Sequence, residues 1–234
     1  MTLRLYDLAG ADPHLRFSPY CWRTRLALAH KDLGVETIPW RFTDKAVIAF
    51  SGQGRVPVLV DGDNGDTVVS DSWAIAEYLE RNYPDRPSLF GDVSAAAVTR
   101  FVNAWADTIQ IPGIMRLIAS DIVGKLHEKD KSYFRSSREQ RFGTTLEAFC
   151  ADRDRHVVSF RQSLQPLRTV LASQPFVGGR VASYADYIVF GAFQWARCVS
   201  TFELLEDGDP VAAWRDRLLD AFDGLARKAV RAAA

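Results

Sequence analysis

The sequence predicts an α/β unit followed by an all-helical bundle, and three observations carry that prediction. Within the first 83 residues, apolar periodicity alternates between the two-residue repeat of strands and the 3.6-residue repeat of helices, in the order β-α-β-α-β-β-α. Beyond position 91 strand patterns become scarce and helical spacing dominates. Between the two, Tyr83-Pro84-Asp85-Arg86-Pro87 sets two prolines among polar residues, which breaks helix and stiffens a connection. The expected division is therefore an α/β domain over 1–83, a linker over 84–90 and a helical domain over 91–234.

Each element has a local reason. Leu3 to Leu8 reads as a short strand, and a loop with Gly10 and Pro13 follows. From Pro19, the residues Cys21, Trp22, Leu26, Ala29 and Leu33 recur at helical spacing until Gly34. Val35 to Trp40 reads as strand and Asp44 to Phe50 as a short helical stretch ahead of Gly52 and Gly54. Val56 to Val60 and Thr67 to Val69 form a hairpin around the turn Asp61 to Asp66, and a helix runs from Ser72 to about Tyr83. In the second half, helices are expected from Ser94 to about Ile118, Arg138 to Leu171, Ser183 to Val199 and Val211 to Ala232, with an irregular excursion over Gly124 to Arg141.

Composition narrows the function. With 234 residues and 47% hydrophobic content, the chain can bury two modest cores. Its 29 basic and 29 acidic residues balance, which argues against nucleic acid or an anionic membrane as the main partner. Three distant cysteines make no disulfide framework or zinc spacing, and with four scattered histidines no metal site is expected. No apolar run approaches the roughly 20 residues of a membrane span, and the first residues lack a signal core, so a cytoplasmic protein is expected.

Three short segments carry chemistry. Ser18-Pro19-Tyr20-Cys21 opens a helix, with Pro19 suited to the first turn and Ser18 to the N-cap. A helix start presents free N–H groups and partial positive charge, so a thiol held there would be favoured as its thiolate. Moving a thiol pKa from about 8.5 to about 6.5 takes about 2.7 kcal/mol of preferential stabilisation, within reach of a hydroxyl hydrogen bond and helix-end amides. The plainer alternative is that Ser18 only caps its helix. Arg55-Val56-Pro57 enters a strand, and Asp71-Ser72 opens another helix.

Ser18-Pro19-Tyr20-Cys21 resembles the Cys-Pro-Tyr-Cys site of thioredoxin-like glutaredoxins with the first cysteine changed to serine. Losing that sulfur removes the nucleophile of dithiol exchange. A site that instead activates a bound thiol resembles serine-type glutathione transferases, and the resemblance spans the whole chain. Within that superfamily, Asp71-Ser72-Trp73 with Glu77-Tyr78-Leu79, and Tyr133-Phe134-Arg135 with Ser137-Arg138-Glu139, look most like bacterial lignin β-etherases and fungal etherase-related transferases.

The resemblance implies a fold: a thioredoxin-like N-terminal domain plus an all-α C-terminal bundle. It also implies roles. Ser18 stabilises the thiolate of glutathione, the co-substrate; Val56, before a cis Pro57, pairs with the peptide backbone as a short added strand; Arg55 meets the glycyl carboxylate; and Asp71 with Ser72 holds the γ-glutamyl end. The thiolate attacks a hydrophobic, aromatic electrophile, by substitution, addition or β-aryl ether cleavage, in a homodimeric enzyme. Asp107 is placed by analogy near a partner subunit's glutathione amine.

Rival readings remain. Tyr6 sits where other transferase classes keep a catalytic tyrosine, though it is equally a core strand residue; Cys21, one turn into its helix, is expected to be buried and inert. Trp105, Ile109, Ile111, Pro112, Met115 and Trp195 either line a second-substrate pocket or fill core. The charged stretch Lys125 to Arg141 is a pocket lid or a solvated surface. Ser183-Tyr184-Ala185-Asp186 reads as a capping box, with roughly 1 kcal/mol or more at stake and no chemistry. A different class of protein, a non-catalytic carrier of apolar or aromatic ligands, would keep the fold but need not keep Ser18 or Asp71-Ser72.

Overall fold

A computed structural model describes residues 3–232. Strand β1 (Leu3–Leu8), helix α1 (Pro19–His30), β2 (Val35–Trp40), a 3-10 segment (Lys45–Ser51), β3 (Val58–Asp61), β4 (Thr67–Ser70) and α2 (Ser72–Asn82) follow in the expected order. The sheet runs β2-β1-β3-β4, with β1 parallel to β2 and antiparallel to β3, and β3 antiparallel to β4. Leu3, Leu5, Val58 and Leu59 of the sheet are buried in one apolar cluster with Trp22 and Leu26 of α1 and Ile75 and Leu79 of α2. This is the thioredoxin-like arrangement. Strand β3 starts at Val58 and not at Val56, because Pro57 has no N–H to give the ladder.

The rest is helical: α3 (Val93–Trp105), a π-turn (Ala106–Gln110), α4 (Ile111–Val123), α5 (Glu128–Phe142), α6 (Leu146–Phe149), α7 (Arg153–Ser163), α8 (Gln165–Leu171), α9 (Tyr184–Val199) and α10 (Pro210–Gly224). Four expectations change in detail. The single helix expected over 94–118 runs on to Val123 with helical dihedrals at both joins, but widens into the π-turn ahead of Pro112, which cannot donate to the carbonyl one turn back. The stretch read as irregular is α5. His127 caps it, Glu128 and Asp130 sit in its first turn, Arg135 pairs with Glu139 four residues on, and Gly143 ends it at φ 70°. The helix expected over 138–171 is divided at Gly143, at Asp152 with φ 55°, and at Pro166. The last helix ends at Gly224 after a kink at Ala221 to Asp223.

Helix α9 is buried on nearly every side, as an all-round apolar helix must be. It packs against α1 at Gly191, where an added Cβ would lie 2.5 Å from the Pro19 carbonyl oxygen. Glycine here is a condition of the two helices meeting. The predicted capping box forms at its start, and Asp186 does more than cap. Its buried carboxylate accepts from the amides of Val177, Gly178 and Ser183 at 2.7–3.0 Å and from Trp214 Nε1 at 2.9 Å.

The connection between α2 and α3 is also tied down. The buried Lys31 pairs with Glu80 at 3.0 Å, Glu80 accepts from the Leu89 amide, and His30 bridges the Tyr187 hydroxyl and the Ser88 carbonyl. Tyr184 then donates its hydroxyl to the Ser72 carbonyl at 2.6 Å, fixing the start of α2 against α9.

Candidate active site

Ser18 is the N-cap of α1, extended at φ −64° and ψ 127°, and Pro19 takes the first helical turn. Its Oγ accepts from the Cys21 amide at 3.3 Å, which satisfies one free N–H, and the Cys21 thiol is a further neighbour of the hydroxyl. Only 4% of the residue is exposed, and that part faces a cleft of about 490 Å³. Cys21 is fully buried, and burial pushes its thiol well above the ordinary range, with the neighbouring Asp7 charge adding to the effect. It is therefore a packing residue and no nucleophile.

The loop before β3 forms the next wall. The Val56–Pro57 peptide is cis, and the Pro57 carbonyl accepts from the Asp71 amide at 3.3 Å. That bond joins the second and third segments. Asp71 lies at φ 81° and caps α2, where its Oδ1 accepts from Trp73 and Ala74 at 2.9 and 3.1 Å. Ser72 is the first helical residue, so its N–H belongs to the group that a helix start leaves without an intrahelical partner.

Ser18, Arg55 and Val56 line the cleft directly. Pro57, Asp71 and Ser72 are not part of its lining; Pro57 follows Val56 in the chain, and the Asp71-to-Pro57 bond ties the start of α2 to that loop. Among the apolar candidates, Ile111, Pro112, Met115 and Trp195 line the cleft, whereas Trp105 and Ile109 do not. Asp107 also lines it but accepts from Arg23 Nη2 at 2.8 Å within its own chain. Tyr6 stays outside, paired with Val58 in the sheet and packed 5.4 Å from the Phe50 ring.

Sequence reasoning missed one group of lining residues, after β2, and left a second, within Lys125 to Arg141, open between a pocket lid and a solvated surface. Trp40, Phe42 and Lys45, at and after the end of β2, and Ser137, Arg138 and Arg141 of α5 all line the cleft, with Tyr133 and Phe134 beside them. What brings α5 there is Asp130, whose buried carboxylate accepts from the Phe42 amide, the Thr43 amide and the Thr43 hydroxyl at 2.6–3.2 Å. The cap and glycine that bound α5 were the signal available in the sequence; its partner across 87 residues was not. Among the described residues, no group of three or more His, Cys, Asp or Glu could hold a metal ion.

Residues 17–82 match the family model of the glutathione S-transferase N-terminal domain, and residues 96–222 match that of the C-terminal domain. The chain belongs to the glutathione S-transferase family. Over 97 residues it is 39% identical to glutathione S-transferase Z1 of Arabidopsis thaliana, covering 39% of this chain and 41% of that protein. The chain thus spans about two fifths of the length of that curated relative. The likeness to solved structures extends further. A glutathione transferase of Phanerochaete chrysosporium superposes with a TM-score of 0.84 at 25% identity, covering 99% of both chains. A glutathione S-transferase of Ceriporiopsis subvermispora, solved in complex with glutathione, superposes at 0.81 with 25% identity and the same coverage.

Proposed function

We propose that this transferase binds glutathione at the start of α1 and uses Ser18 to hold its thiol as the thiolate, for attack on a hydrophobic aromatic electrophile seated in the cleft. The single observation that carries the reading is Ser18 itself, the cap of a helix start that lines a cleft walled by Phe42, Tyr133 and Trp195. Its oxygen accepts from the Cys21 amide, its proton would turn from the neutral Cys21 thiol beside it to a charged sulfur in the cleft, and the first-turn amides add positive potential. In this account the Val56 backbone pairs with the cysteinyl unit, Arg55 meets the glycyl carboxylate, Pro57 shapes the wall, and Asp71 with Ser72 receives the γ-glutamyl ammonium and carboxylate.

The reaction begins with a carbon–sulfur bond formed by the thiolate. In β-aryl ether cleavage, the finer reading we test first, the carbon–oxygen bond breaks and the phenol leaves with the electron pair and takes up a proton. Substitution likewise expels a leaving group with its electron pair, whereas addition expels none and the adduct takes up a proton. We further propose the division into 1–83, 84–90 and 91–234, a homodimer, and a cytoplasmic location. Among the described residues no helix is long and apolar enough to cross a membrane.

The deciding experiment is an ultraviolet titration of the glutathione complex across pH, following the thiolate band. A bound-thiol pKa well below that of free glutathione is the expected result. A thiol that binds unperturbed, or fails to bind, refutes the reading and favours a carrier of apolar or aromatic ligands.

A further inference from the structure

The charge of the cleft exceeds what glutathione needs. Lys45, Arg55, Arg138 and Arg141 line it against one carboxylate, Asp107, which Arg23 already occupies at 2.8 Å. The acids of α5 are engaged elsewhere: Glu139 by Arg135, Glu128 by Lys131, and Asp130 by Phe42 and Thr43. Among the described residues, Arg55, Arg138 and Arg141 form no ion pair. Lys45 donates to the Gly54 carbonyl and lies over Trp40, and the reading above gives Arg55 to the peptide.

Arg138 and Arg141 remain, three residues apart on α5 and so on neighbouring positions of one helix face. The Arg138 guanidinium lies 4.7 Å from the centroid of Phe134 and 5.3 Å from that of Phe42, donates to Ser137 Oγ at 2.9 Å and has the Tyr133 hydroxyl beside it, but meets no carboxylate among the described residues. Burial pushes it below the ordinary arginine range, and the like charges of Arg141 and Arg55 add to this against an opposing contribution from Tyr133. A neutral electrophile packed over it would desolvate the charge further and supply no partner. A carboxylate would offer the planar, two-oxygen match that guanidinium favours.

We propose that the second ligand of this cleft is an aromatic carboxylic acid, its ring against Phe42, Tyr133 and Phe149 and its carboxylate held by Arg138 and Arg141. As a statement about substrate it rests on the transferase reading; as a statement about binding it can be tested separately.

The test is calorimetric binding of 2-naphthoate and of its neutral analogue 2-naphthamide to the full chain, with and without saturating glutathione. The acid is expected to bind about tenfold or more tighter than the amide, a preference that shrinks with added salt. Arg141→Glu, at an exposed position, should abolish the preference and leave amide affinity within about twofold; Arg138→Gln should do the same where circular dichroism shows it folded. Equal binding of acid and amide, or a preference that survives both substitutions, overturns the proposal. So does exclusion of the acid by glutathione, which would assign both arginines to the peptide. If glutathione itself gives no binding heat while the acid preference holds, the transferase reading fails and the acid site stands.

Discussion

Two side chains show how far a single residue's role depends on what surrounds it. Ser18 donates one hydrogen bond to a charged sulfur in the proposed mechanism, a contact worth roughly 1.5–3 kcal/mol. Ser18→Ala should therefore lower kcat by roughly 10- to 100-fold and leave the KM for glutathione nearly unchanged, because the peptide's backbone and end contacts remain. Steady-state kinetics with an aryl electrophile checks this, and an unimpaired alanine variant would remove Ser18 from the chemistry. Asp186 acts on stability alone. Read as a helix cap it is worth roughly 1 kcal/mol, but the structure adds the Val177 and Gly178 amides and the Trp214 indole to its partners. Asp186→Ala strands several buried donors at once, so the expected loss is about 3 kcal/mol or more, near 6–12 °C in Tm, with the bound-thiol pKa unmoved. Calorimetric melting measures the first and the ultraviolet titration the second. The Ser-x-x-Asp spacing made the cap legible; the other partners come from elements up to 28 residues away and left no local mark.

At the scale of elements, the site depends on how α1 is seated. Gly191 lets α9 approach the Pro19 carbonyl, so Gly191→Ala forces the two helices apart next to Ser18. Overpacking of this kind costs about 1–3 kcal/mol, and here the displaced element carries the reacting group. The expected result is a lower Tm together with a raised bound-thiol pKa; a melting shift with no change in the thiol would detach the helix contact from the chemistry. A second element junction sets the pH range of stability. Asp61, at the end of β3, accepts from the Tyr78 and Tyr83 hydroxyls at 2.8 and 2.6 Å. Burial raises its carboxyl, but Tyr83, Asn64 and Tyr78 outweigh that and hold it below the ordinary range. Burial, then the bond to Asp61, push Tyr78 up to about 12, and Tyr83 moves in the same direction. Protonated in the fold and titrating near 10 when unfolded, the tyrosines contribute stability that is complete below about pH 10 and lost as pH rises toward about 12. Asp61 contributes above about pH 4 and loses its contribution as pH falls. Melting across pH should show a plateau with an alkaline fall. Replacing both tyrosines by phenylalanine should lower the plateau and soften that fall without removing it, since burial also raises Tyr184 and Tyr187. An alkaline limb identical in the double variant would acquit the cluster. The elements themselves were legible where periodicity and punctuation agreed, as in β1, α1 and α9. They were misread over α5, whose mean composition is so polar that its ion pairs and caps, and not an apolar stripe, define it.

For the whole molecule, the cleft is built by one chain: α1 and the Val56 loop supply one side, α4 and α5 the other, and Asp107 is bound by its own Arg23. The proposed homodimer has its candidate seat on helix α3. Helix α3 leaves Val98 and Phe101 64% and 73% exposed at neighbouring helical positions, with Val93 at its start 88% exposed. Arg100 beside them stacks on Trp73 at 4.1 Å and pairs with Glu77 at 3.6 Å, which ties α3 to α2 next to this exposed apolar strip. A second copy is the occupant that the homodimer proposal requires. Light scattering should then give the wild type twice the 26.2 kDa chain mass, and Phe101→Glu, which buries a charge in that contact, should give the single-chain value. A wild type at 26.2 kDa would end the dimer proposal. The monomeric variant also separates assembly from chemistry. Because Ser18, Val56 and Asp71 are positioned within one chain, it should keep the lowered thiol pKa of the complex; a thiol that returns to its free value on dissociation would mean that the partner subunit completes the site.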